Sequence, residues 1–360
     1  MEVTNNINCT WAESEQFIEL KLNEEIVFMD SQDHWSSGIC RLLGLSNEEG
    51  KNWVESVFKY SLDFSSNTFT NLNIIEKVDV LREATRNYFQ ISEADHLKVY
   101  VLGRKGPCGH LTNILWEEGI REDNDFVVVG CLECKHGWLV NINDLNNELK
   151  DTVSYEQEHF KGKEPDDYMS QMKWRMEKSH RLVKQISGLS IYLEAKTQNK
   201  PTILDIGSGE YSFFRKALDE VGWIYDVIEL SPHAAPNYNT ETKKYDFVTM
   251  WDILEHVRDP LNTLNMVRTF LKDGGICFIR TPNLMALERE IFGRYYHSLK
   301  REHLQYFSPR SIILFLNKVG LTPLFLTSES HLLKGFFRED IHYFARLLKG
   351  SDLFIAARKN

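Results

Sequence analysis

The run "PTILDIGSGEYSFF", Pro201 to Phe214, constrains this chain more than any other stretch. A short apolar strand ends around Asp205. Gly207 and Gly209 follow at Gly-x-Gly spacing, which lets backbone approach a ligand closely. From Ser212 to Val221 the spacing turns helical, with Phe213, Phe214, Ala217, Leu218 and Val221 on one side. "WIYDVIEL" predicts the next strand, ending in Glu229, and "YDFVTMWD" another, entering a loop at Asp252. Leu261 to Leu271 reads as a helix stopped by the turn at Asp273-Gly274-Gly275, with "ICFIRTPN" as the strand beyond. Ser308-Pro309 opens a helix to about Val319, and "LTPLFLTSE" and "DLFIAARK" are two more strands. Strands alternating with helices specify an α/β fold, its parallel sheet covered on both faces and its ligands at the carboxyl ends of the strands.

Glu229 ends the second strand about twenty residues beyond the glycines, where a carboxylate accepts hydrogen bonds from ribose hydroxyls. The plainer reading of the same residues is a tight turn and a solvated strand end.

At 360 residues the chain has room for two domains, or for one with a large appendage. Its net charge of −10 gives no overall basic surface, which disfavours nucleic acid as a partner. The start has no basic segment leading into an apolar one, and no apolar run reaches the length of a membrane span. The expectation is a soluble, cytoplasmic protein whose six cysteines are thiols or metal ligands rather than disulfides. Nothing in the sequence speaks to its oligomeric state.

Four regions follow: residues 1–98, an N-terminal α+β domain without a chemistry-bearing motif; 99–145, bearing cysteines; 146–199, a helical connector; and 200–360, the α/β domain. In the first, "EQFIELKLNEEIVFMD" predicts a strand pair and "KVDVLREATRNYF" a helix. In the connector, Met169, Met172, Met176, Leu182, Val183 and Ile186 form a packing stripe.

Cys131-x-x-Cys134 is one knuckle of the kind that supplies half of a tetrahedral zinc site. Where a second knuckle is expected, Lys105 occupies the first cysteine place and Cys108 the second. His110 or His136 could complete the set with Cys108, Cys131 and Cys134. Alternatively the metal has been lost and the segment persists as a packed hairpin. Cys9 and Cys40 look unrelated, and Cys277 lies inside a buried strand.

The blocks "ILDIGSGEYSF", "VIELSPHAA", "YDFVTMWDILEHVRDP", "LNMVRTFLKDGGICFIRTPN" and "REHLQYFSPRSIILFLNKVGL" stand in one order over Pro201 to about Ser330. This part resembles the class I S-adenosylmethionine-dependent methyltransferases, most of all the ubiquinone-pathway O-methyltransferase branch. The resemblance implies a Rossmann-like doubly wound sheet ending in an antiparallel strand pair. It implies that Asp205, Gly207, Ser208 and Gly209 hold the methionine end of the cofactor, that Glu229 binds its ribose, and that Met250, Trp251 and Asp252 line the pocket. The cysteine segment resembles the zinc ribbon that precedes this domain in many relatives, with Tyr155 and Phe160 in its trailing element.

Two departures stand out. Tyr211 replaces the usual third glycine, and only "LSPHAAPNYNTETKKY" separates Glu229 from Asp246, leaving little room for the helix, strand and adenine-contacting acid that the family places there.

His303 and His256 are the candidates for removing a proton from a methyl acceptor, since imidazole titrates near neutrality. For His303 the competing role is a hydrogen bond that anchors its loop. Asp252, Glu255 and His256 have a spacing that could converge on a divalent cation, as in the resembling branch; the preferred reading is capping of a helix start. The leading expectation is O- or N-methylation of a small molecule or glycan precursor with S-adenosylmethionine. The alternative is a degenerate methyltransferase fold serving binding or assembly.

Overall fold

A computed structural model describes residues 104–112, 114–117, 126–141, 172–193, 201–207, 213–228, 243–329 and 348–360, with scattered helical positions between Glu76 and Arg86. All of those positions but Glu76 fall within the helix read over "KVDVLREATRNYF". The strand pair expected before residue 31, Cys9, Cys40, Tyr155, Phe160, Met169, Ser208, Gly209, Tyr211 and Glu229 lie outside the described residues.

The main sheet has six strands. Four are parallel: β6 (Thr202–Ile206), β7 (Ile224–Ile228), β8 (Tyr245–Trp251) and β9 (Leu271–Pro282). Two more, β11 (Leu321–Glu329) and β12 (Asp352–Lys359), add an antiparallel pair at one edge, giving the order β11-β12-β9-β8-β6-β7. This is the doubly wound sheet with an antiparallel terminal pair typical of class I methyltransferases.

Side chains alternate across the sheet as the pleat requires. Ile203, Phe247, Phe278 and Phe354 point to the face covered by α1 (Met172–Leu193) and α2 (Phe213–Val221), where Leu182, Val183, Ile186, Phe214 and Leu218 pack on them. Leu204, Val248, Cys277 and Ile355 point to the other face, under α3 (Pro260–Phe270) and α5 (Pro309–Lys318), between which α4 (Leu287–Phe292) intervenes in the chain. Burying each such side chain contributes about 1.5–3 kcal/mol. In α2 the inward stripe is shorter than its spacing predicts: Val221, at the last turn, is exposed.

Local signals set the helix ends. The Asp259 carboxylate accepts the Asn262 amide at 2.9 Å with Pro260 opening α3. Ser308 and Ser311 form a reciprocal capping box at α5. Helix α3 ends at Phe270, before the Asp273-Gly274-Gly275 turn that was expected to stop it. That turn lies inside β9, where the register against β8 shifts.

The cysteine-bearing segment makes a second, antiparallel sheet from β3 (Ile114–Glu117), β4 (Phe126–Gly130) and β5 (Gly137–Asn141), beside the short pair β1 (Arg104–Lys105) and β2 (Leu111–Thr112). Its fourth strand, β10 (Gln305–Tyr306), comes from the α/β domain and pairs with β5. Among the described residues no helix is long and apolar enough to cross a membrane.

Candidate active site and metal centre

The Gly-x-Gly loop begins where β6 ends. Gly207 has φ +72°, a conformation that favours glycine, and its N–H donates to the Ile228 carbonyl at 2.7 Å, tying the loop to β7. A Cβ on Gly207 would lie 2.8 Å from Ile253 Cγ1 and closer still to Cδ1, so the loop after β8 packs directly on the glycine. Asp205 is fully buried, and its Oδ1 accepts the Thr249 hydroxyl at 2.7 Å.

The loop after β8 holds most of the remaining candidates. Met250 is fully buried in the sheet core, and Trp251 stacks on Phe354 with its edge toward Phe214. Asp252 adopts φ +57° and is claimed by Arg280, whose Nε donates to Oδ1 at 2.7 Å and whose Nη2 meets Oδ2. Burial pushes the Asp252 carboxyl up, but the charges of Arg280 and Lys178 outweigh it and hold the group below the usual range. Lys178 reaches this cluster from α1, with Asp352 at 3.9 Å; burial and the Arg280 charge push it down to about 8. Neither Arg280 nor Lys178 was singled out in the sequence, where nothing marks a strand-end arginine or a helix lysine as partners of Asp252.

Asp252 therefore does not join Glu255 and His256, and neither of those two caps a helix. Leu254–His256 is a single 3-10 turn without a side-chain cap, and Glu255 accepts the Thr281 hydroxyl at 2.9 Å. The residue that does join them is His303: one ligand atom from each of Glu255, His256 and His303 falls within 4.8 Å of the others, and the two imidazoles meet edge to face at 4.8 Å.

Each ring is fixed by a main-chain carbonyl. His256 Nδ1 lies 2.8 Å from Glu302 O, and His303 Nδ1 lies 2.7 Å from Ser298 O. A carbonyl only accepts, so both rings carry the Nδ1 proton and Nε2 is their basic nitrogen. The loop-anchoring bond considered for His303 thus exists, on the nitrogen that proton transfer does not need. Burial pushes both histidines below their usual range, His303 far below with the His256 charge adding to the effect, so both are neutral at pH 7. Burial, then the Asp252 charge, pushes the Glu255 carboxyl well up.

About the knuckles, Cys108, His110, Cys131 and Cys134 bring one ligand atom each within 4.8 Å of the others. Tight turns present them: Gly109 N–H donates to Gly106 O at 2.8 Å, with Gly109 at φ +82°, and Lys135 N–H donates to Cys131 O at 2.9 Å. All three cysteines are buried. The Cys134 thiol hydrogen-bonds to Cys108 and holds Cys108 down to about 5, the thiolate form that metals take; Cys134 is correspondingly raised. His110 Nδ1 lies 3.5 Å from Cys131 Sγ, and its Nε2 lies 3.7 Å from a Glu133 carboxylate oxygen.

His136, the other candidate fourth ligand, is elsewhere. Its Nε2 meets Gln305 Oε1 at 3.0 Å, and its ring packs on Phe307 and Phe315. Burial pushes it down to about 4, a neutral core histidine.

Residues 174–324 match a family model described as a methyltransferase domain. Over that stretch the chain is similar to methyltransferase domains, on a sheet of the class I methyltransferase type. A ubiquinone biosynthesis O-methyltransferase from Glaesserella parasuis serovar 5 (strain SH0165) is 32% identical over 62 residues, 17% of this chain. The chain spans about a quarter (26%) of that relative's length. Among solved structures, an S-adenosylmethionine-dependent methyltransferase from Archaeoglobus fulgidus aligns with 53% of this chain and 99% of its own, at 19% identity and a TM-score of 0.36. The plantazolicin methyltransferase BpumL, solved with S-adenosylhomocysteine, aligns with 57% of this chain and 93% of its own, at 13% identity and a TM-score of 0.38.

Proposed function

We propose that this protein transfers a methyl group from S-adenosylmethionine to an oxygen or nitrogen of a small molecule or glycan precursor in the cytoplasm. The observation that carries the reading is the packing of Ile253 on Gly207. It joins the glycine turn after β6 to the loop that leads through Glu255 and His256 to His303.

The residues present fit the cofactor. The turn at Gly207 admits no side chain, and Asp205 sits beneath it as a buried carboxylate oriented by Thr249. Asp205 and Gly207 would hold the methionine end, together with Ser208 and Gly209, and Glu229 would bind the ribose. When bound, S-adenosylmethionine supplies a sulfonium methyl group open to in-line attack. The protein's work is then to position the acceptor and to take its proton. His256 and His303, neutral and fixed in one tautomer, each offer Nε2 for that proton.

Three cysteine sulfurs and one imidazole suit zinc better than a hard cation. Cys108, His110, Cys131 and Cys134 would hold it as a structural ion, away from the histidine pair.

Incubation of the protein with methyl-labelled S-adenosylmethionine and fractionated small-molecule extracts tests the reaction. Label should enter a product as a methoxy or N-methyl group, and His303→Ala should lower that transfer by about 10²-fold or more. Label that stays on the cofactor in every fraction contradicts the reading.

A further inference from the structure

The Cys/His-bearing ribbon and the histidine pair are joined by one short strand. On its outer side, β10 pairs with β5: Gln305 stands opposite Trp138 and Tyr306 opposite Gly137. The Leu139 N–H extends the ladder to the Leu304 carbonyl at 3.0 Å. Leu304 then donates its own N–H to the Glu255 carbonyl at 2.7 Å. One residue beyond His303 thus bridges ribbon and active-site loop with both its backbone polar groups satisfied.

The Gln305 side chain makes a second bridge. Oε1 takes the His136 ring, two residues beyond Cys134, and Nε2 donates to the Arg258 carbonyl at 3.1 Å, two residues beyond His256. Further ties run straight from knuckle backbone to α5: Ser308 Oγ donates to Cys134 O at 2.8 Å, and Lys318 Nζ donates to Cys108 O. There is little slack at the junction, since a Cβ on Gly137 would press on Val128, Leu284 and Tyr306 at 3.0–3.2 Å.

We infer that Gln305 is a positioning residue, and that through it and β10 the ribbon's metal sets the placement of His303 against His256. This rests on the zinc reading above and extends it: the ion is structural for the reaction site as well as for the knuckles. Removing the ion frees the turns that carry Cys108, Cys131 and Cys134, and with them the backbone groups that hold β10 and the start of α5. The cofactor turn at Asp205 and Gly207 lies on other strands and keeps its geometry.

Hydrogen exchange on the full chain, with and without a zinc chelator, tests the coupling without any methyl transfer. Chelation should speed exchange at the Leu139 and Leu304 amides by about tenfold or more, reversed by added zinc, while S-adenosylhomocysteine affinity stays within about twofold. Unchanged exchange at 303–306 while 104–141 opens would overturn the inference. Gln305→Leu keeps every metal ligand and decides the case where chelation unfolds the chain. It should retain about one zinc per chain, yet quicken Leu304 exchange and shift the NMR titration of the His303 and His256 rings. A Gln305→Leu protein with wild-type exchange and ring titration contradicts the role assigned to this residue. Loss of the zinc reading would show separately, as protein that holds no zinc at all.

Discussion

His136 Nε2 and Gln305 Oε1 meet at 3.0 Å, one from each side of the junction between ribbon and methyltransferase domain. The contact keeps His136 out of the Cys108–Cys131–Cys134 cluster, which His110 joins, so the zinc site proposed above would take His110 as its fourth ligand. His110→Ala should therefore lower zinc content from about one equivalent to well below half, whereas His136→Gln should leave it near one. Metal analysis of protein purified without chelator checks both, and the opposite pattern contradicts the assignment.

The same histidine gives the protein a pH signature. His136 is pushed down to about 4 in the fold and returns to about 6.5 when the chain unfolds. Between these values the unfolded chain binds the extra proton, so stability rises with pH and is lost as pH falls from about 6.5 toward 4. The difference amounts to about 3 kcal/mol at full extent. His303 acts in the same direction, and Glu255, raised in the fold, acts against it. Urea unfolding of wild type and His136→Gln isolates the one group: the wild type should lose about 3 kcal/mol more between pH 7 and pH 4. Parallel curves would contradict it.

At Gly207 a methyl group meets two costs, the positive φ and the overlap with Ile253. Gly207→Ala should destabilise the protein by about 2–4 kcal/mol. Ile253→Ala placed beside it should recover part of that loss, and a double-mutant cycle in denaturant reads the coupling. Strict additivity would mean that the two residues do not press on each other.

Ser308 serves two structures at once, capping α5 and holding the Cys134 carbonyl. Ser308→Ala should cost about 2 kcal/mol, the sum of a lost cap and a buried carbonyl left unpaired. Thermal unfolding of the zinc-loaded protein measures it, and a loss under about 0.5 kcal/mol would contradict the double role.

The sheet was legible because its signals are local. Most strands are short apolar runs, and Ser308-Pro309 marks a helix start that side-chain bonds confirm. The cysteine spacing likewise points to Cys108, Cys131 and Cys134 as one cluster, which they form. What stayed hidden depends on contacts between distant segments. Asp252 had the right spacing to join Glu255 and His256, but Arg280, 28 residues on, draws it away. His303 takes its place from a loop that no periodicity connects to it. Gln305 pairs with a strand more than 160 residues earlier, and a two-residue strand leaves no alternation to read.

Calorimetric titration of the zinc-loaded protein with S-adenosylhomocysteine tests the central claim most directly. Saturable heat with one site per chain is predicted, lost in both Asp205→Ala and Glu229→Ala proteins that remain folded. A folded wild-type protein that gives no heat at millimolar ligand would contradict the cofactor site, and with it the methyltransferase reading.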